Sequence, residues 1–180
     1  MWKRLGTVLL ICISLTFAGC VDAYAGLKSY VDTADGYEFL YPNGWVGINV
    51  KSGPDVVFRD LIEETENVSV VISPMTANKS LADIGTPSEV GYRLSKNAIA
   101  PPDSGRKAEL IKAGTKEYKG KTYYLLEYAV ELASGEKRHD VASVAISRGK
   151  LYTLNISTTD KRWNKVENKF AQVAKSFSVY

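Results

Sequence analysis

Three residues have the type and setting to do chemistry: a cysteine at position 20 and a histidine and an aspartate at positions 139 and 160. Leu15-Thr16-Phe17-Ala18-Gly19 leads into Cys20, so small residues stand directly before a thiol. Met1-Trp2-Lys3-Arg4 supplies a basic start, and Val8 to Phe17 forms an apolar run too short to favour a membrane span. The pattern predicts cleavage before Cys20 and a lipid carried on its thiol. A plain secreted signal and a spanning anchor are the competing readings. On the first reading, residues 1–19 are a signal peptide, 20–29 a lipidated tether and 30–180 a folded domain.

His139 is the single histidine of the chain. Taking Gly149-Lys150 as a two-residue hairpin loop pairs Arg148 with Leu151 and puts His139 opposite Asp160. Directly opposed side chains have Cβ atoms about 5 Å apart. Imidazole and carboxylate together form a donor set for a weak divalent metal, zinc or calcium. Two ligands do not close a site. A structural contact tying the hairpin to the next helix is the alternative.

Other chemistry finds no footing. Gly-x-Ser-x-Gly, a phosphate-binding glycine loop and His-Glu-x-x-His are all absent, so no enzyme is expected and no catalytic residue is named. The net charge of +3 falls by two once Lys3 and Arg4 leave with the signal. Such a chain lacks the dense basic footprint of a nucleic-acid binder. Cys12 and Cys20 are the two cysteines, and neither leaves a disulfide in the mature chain. The fold must therefore hold by packing, for which eleven Tyr, three Trp and five Phe are suited.

The elements that must position these residues follow from periodicity. Tyr37 to Tyr41 alternates at period two and stops at Pro42-Asn43-Gly44, a strand and a turn. Trp45 to Val50 reads as a return strand, Val56-Val57-Phe58 as a third and Asn67 to Ser73 as a fourth, with Val68, Val70 and Ile72 on one face. Thr86-Pro87-Ser88-Glu89 is a capping box with proline at the first helical position. Lys107–Tyr118, Lys121–Leu132, Arg138–Arg148 and Leu151–Thr158 read as an antiparallel meander joined through Gly120, Gly135 and Gly149. Val141 and Ala145 face one way, Val144 and Ile146 the other, which argues for a sheet covered on both sides. Asp160 opens a last helix whose stripe of Trp163, Val166, Phe170, Val173 and Phe177 belongs in a core. The fold class expected is α+β: an antiparallel meander flanked by helices on both faces.

Gly36-Tyr-Glu-Phe-Leu-Tyr-Pro-Asn-Gly-Trp45, Asp55-Val-Val-Phe-Arg-Asp60, Arg138-His139 and Thr159-Asp-Lys-Arg-Trp163 together resemble the PsbP family of extrinsic photosystem II proteins. The lipid signal and short tether resemble its cyanobacterial form. The resemblance runs from about Tyr37 to Tyr180. It implies a helix–sheet–helix sandwich on the lumenal side of the thylakoid membrane, supporting the oxygen-evolving side of photosystem II. It implies an accessory or assembly role on reaction-centre core subunits, by a monomer anchored through its lipid. It also implies divalent-metal binding at the positions of His139 and Asp160. Plant members carry a longer N-terminal arm concerned with calcium and chloride retention, and the short Val21–Ser29 segment here speaks for a tethered docking module instead. A metal- or small-molecule-binding periplasmic lipoprotein with no photosystem partner is the alternative function.

Overall fold

A computed structural model describes residues 25–75 and 79–180. Cys20 and the expected signal segment lie outside the described residues.

Among the described residues, ten strands are arranged in two sheets. The larger has the order β3-β4-β5-β9-β8-β7-β6 and the smaller β1-β2-β10, and every pairing is antiparallel. The strands are β1 Leu27–Asp32, β2 Tyr37–Pro42, β3 Val46–Gly47, β4 Val56–Arg59, β5 Asn67–Pro74, β6 Lys107–Tyr118, β7 Lys121–Glu131, β8 Lys137–Ser147, β9 Lys150–Thr159 and β10 Ser178–Val179. The helices are α1 Leu81–Ile84, α2 Pro87–Leu94 and α3 Asp160–Ser176, with a π-helical turn at Ser95–Ile99 extending α2. Among the described residues, no helix is long and apolar enough to cross a membrane.

Alternation along β7, β8 and β9 builds a core on each face of the large sheet. Tyr123, Val141, Ala145, Tyr152, Leu154 and Ile156 face α3 and the small sheet. Tyr124, Leu126, Tyr128, Ala142 and Val144 face α1 and α2. The expected sandwich is therefore present, α+β and covered on both sides.

On the α3 side, Phe170 and Val173 are buried and Trp163 and Val166 pack against them, as the stripe predicts. Lys161, Lys165, Lys169 and Lys175 face water. On the other side the Thr86–Glu89 capping box forms as read. There α2 lies unusually close to the sheet, because a Cβ on Gly91 would stand 2.9 Å from the Leu110 methyls. The hydroxyls of Tyr124 and Tyr128 donate to the Gly85 and Gly91 carbonyls at 2.9 and 3.1 Å. Those bonds leave the buried phenols paired while they fasten the two helices to β7.

Three sequence readings are corrected. Trp45 to Val50 yields only the two-residue β3, because Trp45 turns inward to Phe170 rather than extending the strand. The segment assigned to the tether contains the start of β1, whose Leu27 pairs with Pro42. The β8–β9 loop is Arg148-Gly149, not Gly149-Lys150, and Ser147 pairs with Lys150. Arg148 and Gly149 both have positive φ, 50° and 68°, the twist that a two-residue hairpin of the I′ type demands.

Candidate functional site

The hairpin correction moves every partner on β9 by two residues. His139 stands opposite Thr158, and Asp160 lies beyond the end of the pairing as the first residue of α3. Direct opposition of His139 and Asp160, the basis of their expected contact, is absent. The face is unchanged, since a shift of two preserves parity, so His139 still points toward α3.

There it meets two other side chains. Its ring stacks on Trp163, centroids 3.7 Å apart and planes 9° from parallel. Its Nε2 lies 2.8 Å from Glu127 Oε1. A carboxylate can only accept, so this nitrogen carries the proton. The imidazole side chain is 7 % exposed. Glu127 pairs with Val141 on β8, and His139 with Ala129, so the two are diagonal neighbours across the β7–β8 pair. Glu127 also lines a groove of about 320 Å³ between α3 and the sheet, together with Lys112, Val141, Trp163, Glu167 and Lys175. The groove offers charges of both signs around an apolar floor.

The neighbouring turn of α3 holds a second polar centre. Glu66 is buried, 3 % exposed. It accepts from Arg162 Nε at 2.6 Å and from the Thr158 hydroxyl at 2.8 Å. Arg162 NH1 bonds Glu63 at 2.9 Å. Glu66 and Glu63 together raise the Arg162 pKa, the hydrogen bond to Glu66 being the main cause. Thr159-Asp-Lys-Arg-Trp163 thus spans the start of α3 and locks it in place. Arg162 grips the β4–β5 loop and Trp163 covers His139.

That loop is itself fixed. Asp60 Oδ1 accepts from the backbone of Ile62 and Glu63 at 2.7 and 2.8 Å. These donors, chiefly Glu63, together with the Trp45 ring, hold its carboxyl below the usual range. A depressed carboxyl pKa stabilises the fold above its unfolded value and loses that contribution as pH falls through the folded one. On the opposite face of β8, burial pushes the Asp140 carboxyl up, against hydrogen bonds from Ser157 and Asn155.

At the far end of the β1–β2 hairpin, Asp32, Asp35 and Asp55 each bring one carboxylate oxygen within 4.8 Å of the others. All three are engaged within the protein. Asp32 Oδ1 accepts from the Ala34 and Asp35 backbone at 2.9 Å, Lys150 bonds Asp35 at 2.8 Å, and the Tyr37 hydroxyl donates to Asp55. Burial, with Asp55 as the next cause, drives the Tyr37 phenol far above its ordinary value.

Sequence reading names His139 and Asp160 as site residues but not Glu127 or Glu66. Both were signalled by parity. Glu66 falls on the same face as Val68 and Val70, and Glu127 on the same face as the buried Tyr123. A carboxylate at an inward strand position needs a cation or donors beside it.

Residues 25–179 match the PsbP family model. The chain is 48% identical over 184 residues to CyanoP of Thermosynechococcus vestitus, covering 100% of both chains. It is 50% identical over 175 residues to CyanoP of Synechocystis, covering 96% of this chain and 93% of that one. PsbP-like protein 1 of Arabidopsis thaliana is 34% identical over 165 residues, 92% of this chain and 69% of the plant protein. The solution structure of CyanoP from Synechocystis superposes with a TM-score of 0.74 at 50% identity, covering 90% of this chain and 96% of that one. Sequence and fold agree along the length of the domain, and the chain belongs to the PsbP family.

Proposed function

We propose that this chain is a non-enzymatic extrinsic protein of photosystem II, working as a monomer on the lumenal side of a thylakoid membrane. Its role is accessory or assembly support of the oxygen-evolving side, through contact with reaction-centre core subunits. A lipid on Cys20 tethers it. The observation that carries this reading is the match to proteins named CyanoP over essentially whole chains. The tether would raise the local concentration of a weakly binding domain at the membrane surface. Catalysis has no support around His139, whose ring is taken up by Glu127 and Trp163. Native isolation of the tagged full chain from thylakoids is expected to bring down photosystem II core subunits. Recovery of the chain without them would favour the alternative, a metal- or small-molecule-binding lipoprotein, for which the groove beside Glu127 is the observation in favour.

We also propose that His139 and Asp160 hold a weakly bound divalent ion at the β9–α3 junction, although they are not opposed across the sheet. His139 Nε2 would have to exchange Glu127 for the metal, or the ion would use the other ring nitrogen. Calorimetric titration with zinc, and separately calcium, is expected to show weak one-site binding that His139→Ala abolishes. Binding unchanged in His139→Ala would remove the pair from consideration.

A further inference from the structure

The tip of the β4–β5 loop presents two adjacent large apolar side chains to solvent. Leu61 is 62% exposed and Ile62 89%. A lone exposed leucine is ordinary, but two together on an ordered tip indicate a contact surface. The tip is held in advance of any contact. Asp60 accepts from the Ile62 and Glu63 backbone, Glu66 N donates to the Glu63 carbonyl at 2.7 Å, and Asp60 N donates to the Glu66 carbonyl at 3.0 Å. A preformed loop loses little conformational freedom on binding. Three of its four carboxylates are also occupied, Asp60 by the Ile62 and Glu63 backbone and Glu63 and Glu66 by Arg162, while the exposed Glu64 only approaches Arg59 at 4.0 Å. Residues 60–66 contain no lysine or arginine, so the tip suits an uncharged surface better than an anionic one.

The chain enters the domain at this same end. The Gly26 carbonyl accepts from Asn43 N at 2.8 Å, and Val46, three residues on, pairs with Arg59 beside Asp60. The other end of the β1–β2 hairpin is pinned far away, beside the β8–β9 turn. Lys150 bonds Asp35 at 2.8 Å, the Tyr152 hydroxyl donates to the Asp35 carbonyl at 2.8 Å, and Tyr180 N donates to the Gly36 carbonyl. Six residues lead from Cys20 to Gly26 and reach at most about 20 Å when fully extended. A bilayer that held Cys20 would therefore face the end of the domain that carries Leu61 and Ile62.

We propose that Leu61 and Ile62 form a second membrane contact, inserting into the uncharged part of the lipid surface to which Cys20 is anchored. The proposal rests on the reading of Cys20 as the lipid site. It adds a second point of contact to the lipid anchor, and it fixes the orientation of the domain on the bilayer.

The test uses the full chain, processed and acylated in its host, on phosphatidylcholine vesicles. With Cys20 blocked by its lipid, an introduced thiol is the only one to label in the mature chain. An environment-sensitive dye at Ile62→Cys is expected to shift to the blue on vesicles. The same dye at Lys119→Cys, on the β6–β7 turn at the opposite end, should not shift. Leu61→Gln/Ile62→Gln is expected to weaken vesicle retention at least tenfold with an unchanged circular dichroism spectrum, since both side chains lie outside the core. An acylated, vesicle-bound chain with no Ile62 shift and full retention in the double variant would overturn the tip contact and leave the anchor standing. A shift that appears only when photosystem II complexes are added would also overturn it, in favour of a protein pocket. Mass spectrometry showing Cys20 unacylated would sink the anchor and the two-point contact with it.

Discussion

Arg162→Ala is expected to lower the unfolding free energy by about 2–3 kcal/mol, read as a fall in the urea midpoint with an unchanged slope. The cause is what the arginine leaves behind. Glu66 is almost wholly inaccessible to water, and its Oε1 accepts from Arg162 and Thr158. Taking away the guanidinium strands a buried carboxylate with one hydroxyl donor. Breaking a buried pair costs about 3–5 kcal/mol, and the figure is reduced here because the arginine side chain is 31% exposed. The same change frees Glu63, so the β4–β5 loop loses its tie to α3. Adding Glu66→Gln to Arg162→Ala should recover much of the loss, because the stranded charge is then gone. A cost below about 0.5 kcal/mol, the range of ordinary surface changes, would show that Glu66 keeps its solvation another way.

Phe170→Ala is expected to cost about 3–5 kcal/mol, with a fall in melting temperature of roughly 2–4 °C for each of them. Phe170 is 1% exposed and meets the Trp45 ring edge-on, centroids 5.8 Å apart and planes at 90°. It sits where the apolar stripe of α3 crosses the segment between the two sheets. The ring cannot be replaced by collapse, because Trp45 is itself buried and held by the turn in which its backbone N–H donates to the Pro42 carbonyl at 3.3 Å. A cavity therefore remains, and its lining loses contact on one side. The change should also alter tryptophan emission, as Trp45 loses its buried neighbour. A penalty under about 1 kcal/mol would mean that α3 can slide to fill the space, contrary to its anchoring by Arg162 and Trp163.

Much of this architecture is legible in one sequence, for a local reason. Period-two alternation along Lys107–Tyr118, Lys121–Leu132, Arg138–Arg148 and Leu151–Thr158 announces strands, and residues Val141, Ala145, Val144 and Ile146 announce that both faces are covered. The cap at Thr86 and the stripe from Trp163 to Phe177 announce two helices. Each signal lies within a dozen or so residues, and burial rewards it directly. The elements α1 and β10 carry too few residues to show a period, and β1, Leu-Lys-Ser-Tyr-Val-Asp, has no clean apolar alternation. They are formed by partners elsewhere in the chain, as when Ser178 and Val179 pair with Glu38 and Tyr37.

The candidate site divides along the same line. Residue types alone determine that His139 lies on an inward face and that the segment from Thr159 to Trp163 begins a helix beside it. They leave its partner undetermined. Gly149 serves equally well as the first or the second residue of a two-residue turn, and the choice moves His139 from Asp160 to Thr158. Only the assembled sheet makes that choice, with Arg148 and Gly149 both taking positive φ. The assembled sheet likewise brings Glu127 diagonally to the imidazole and carries Glu66, at the end of the β4–β5 loop, to Arg162. Register and cross-strand neighbours depend on how elements far apart in the chain close on one another, and a pattern read along a single strand contains no such information.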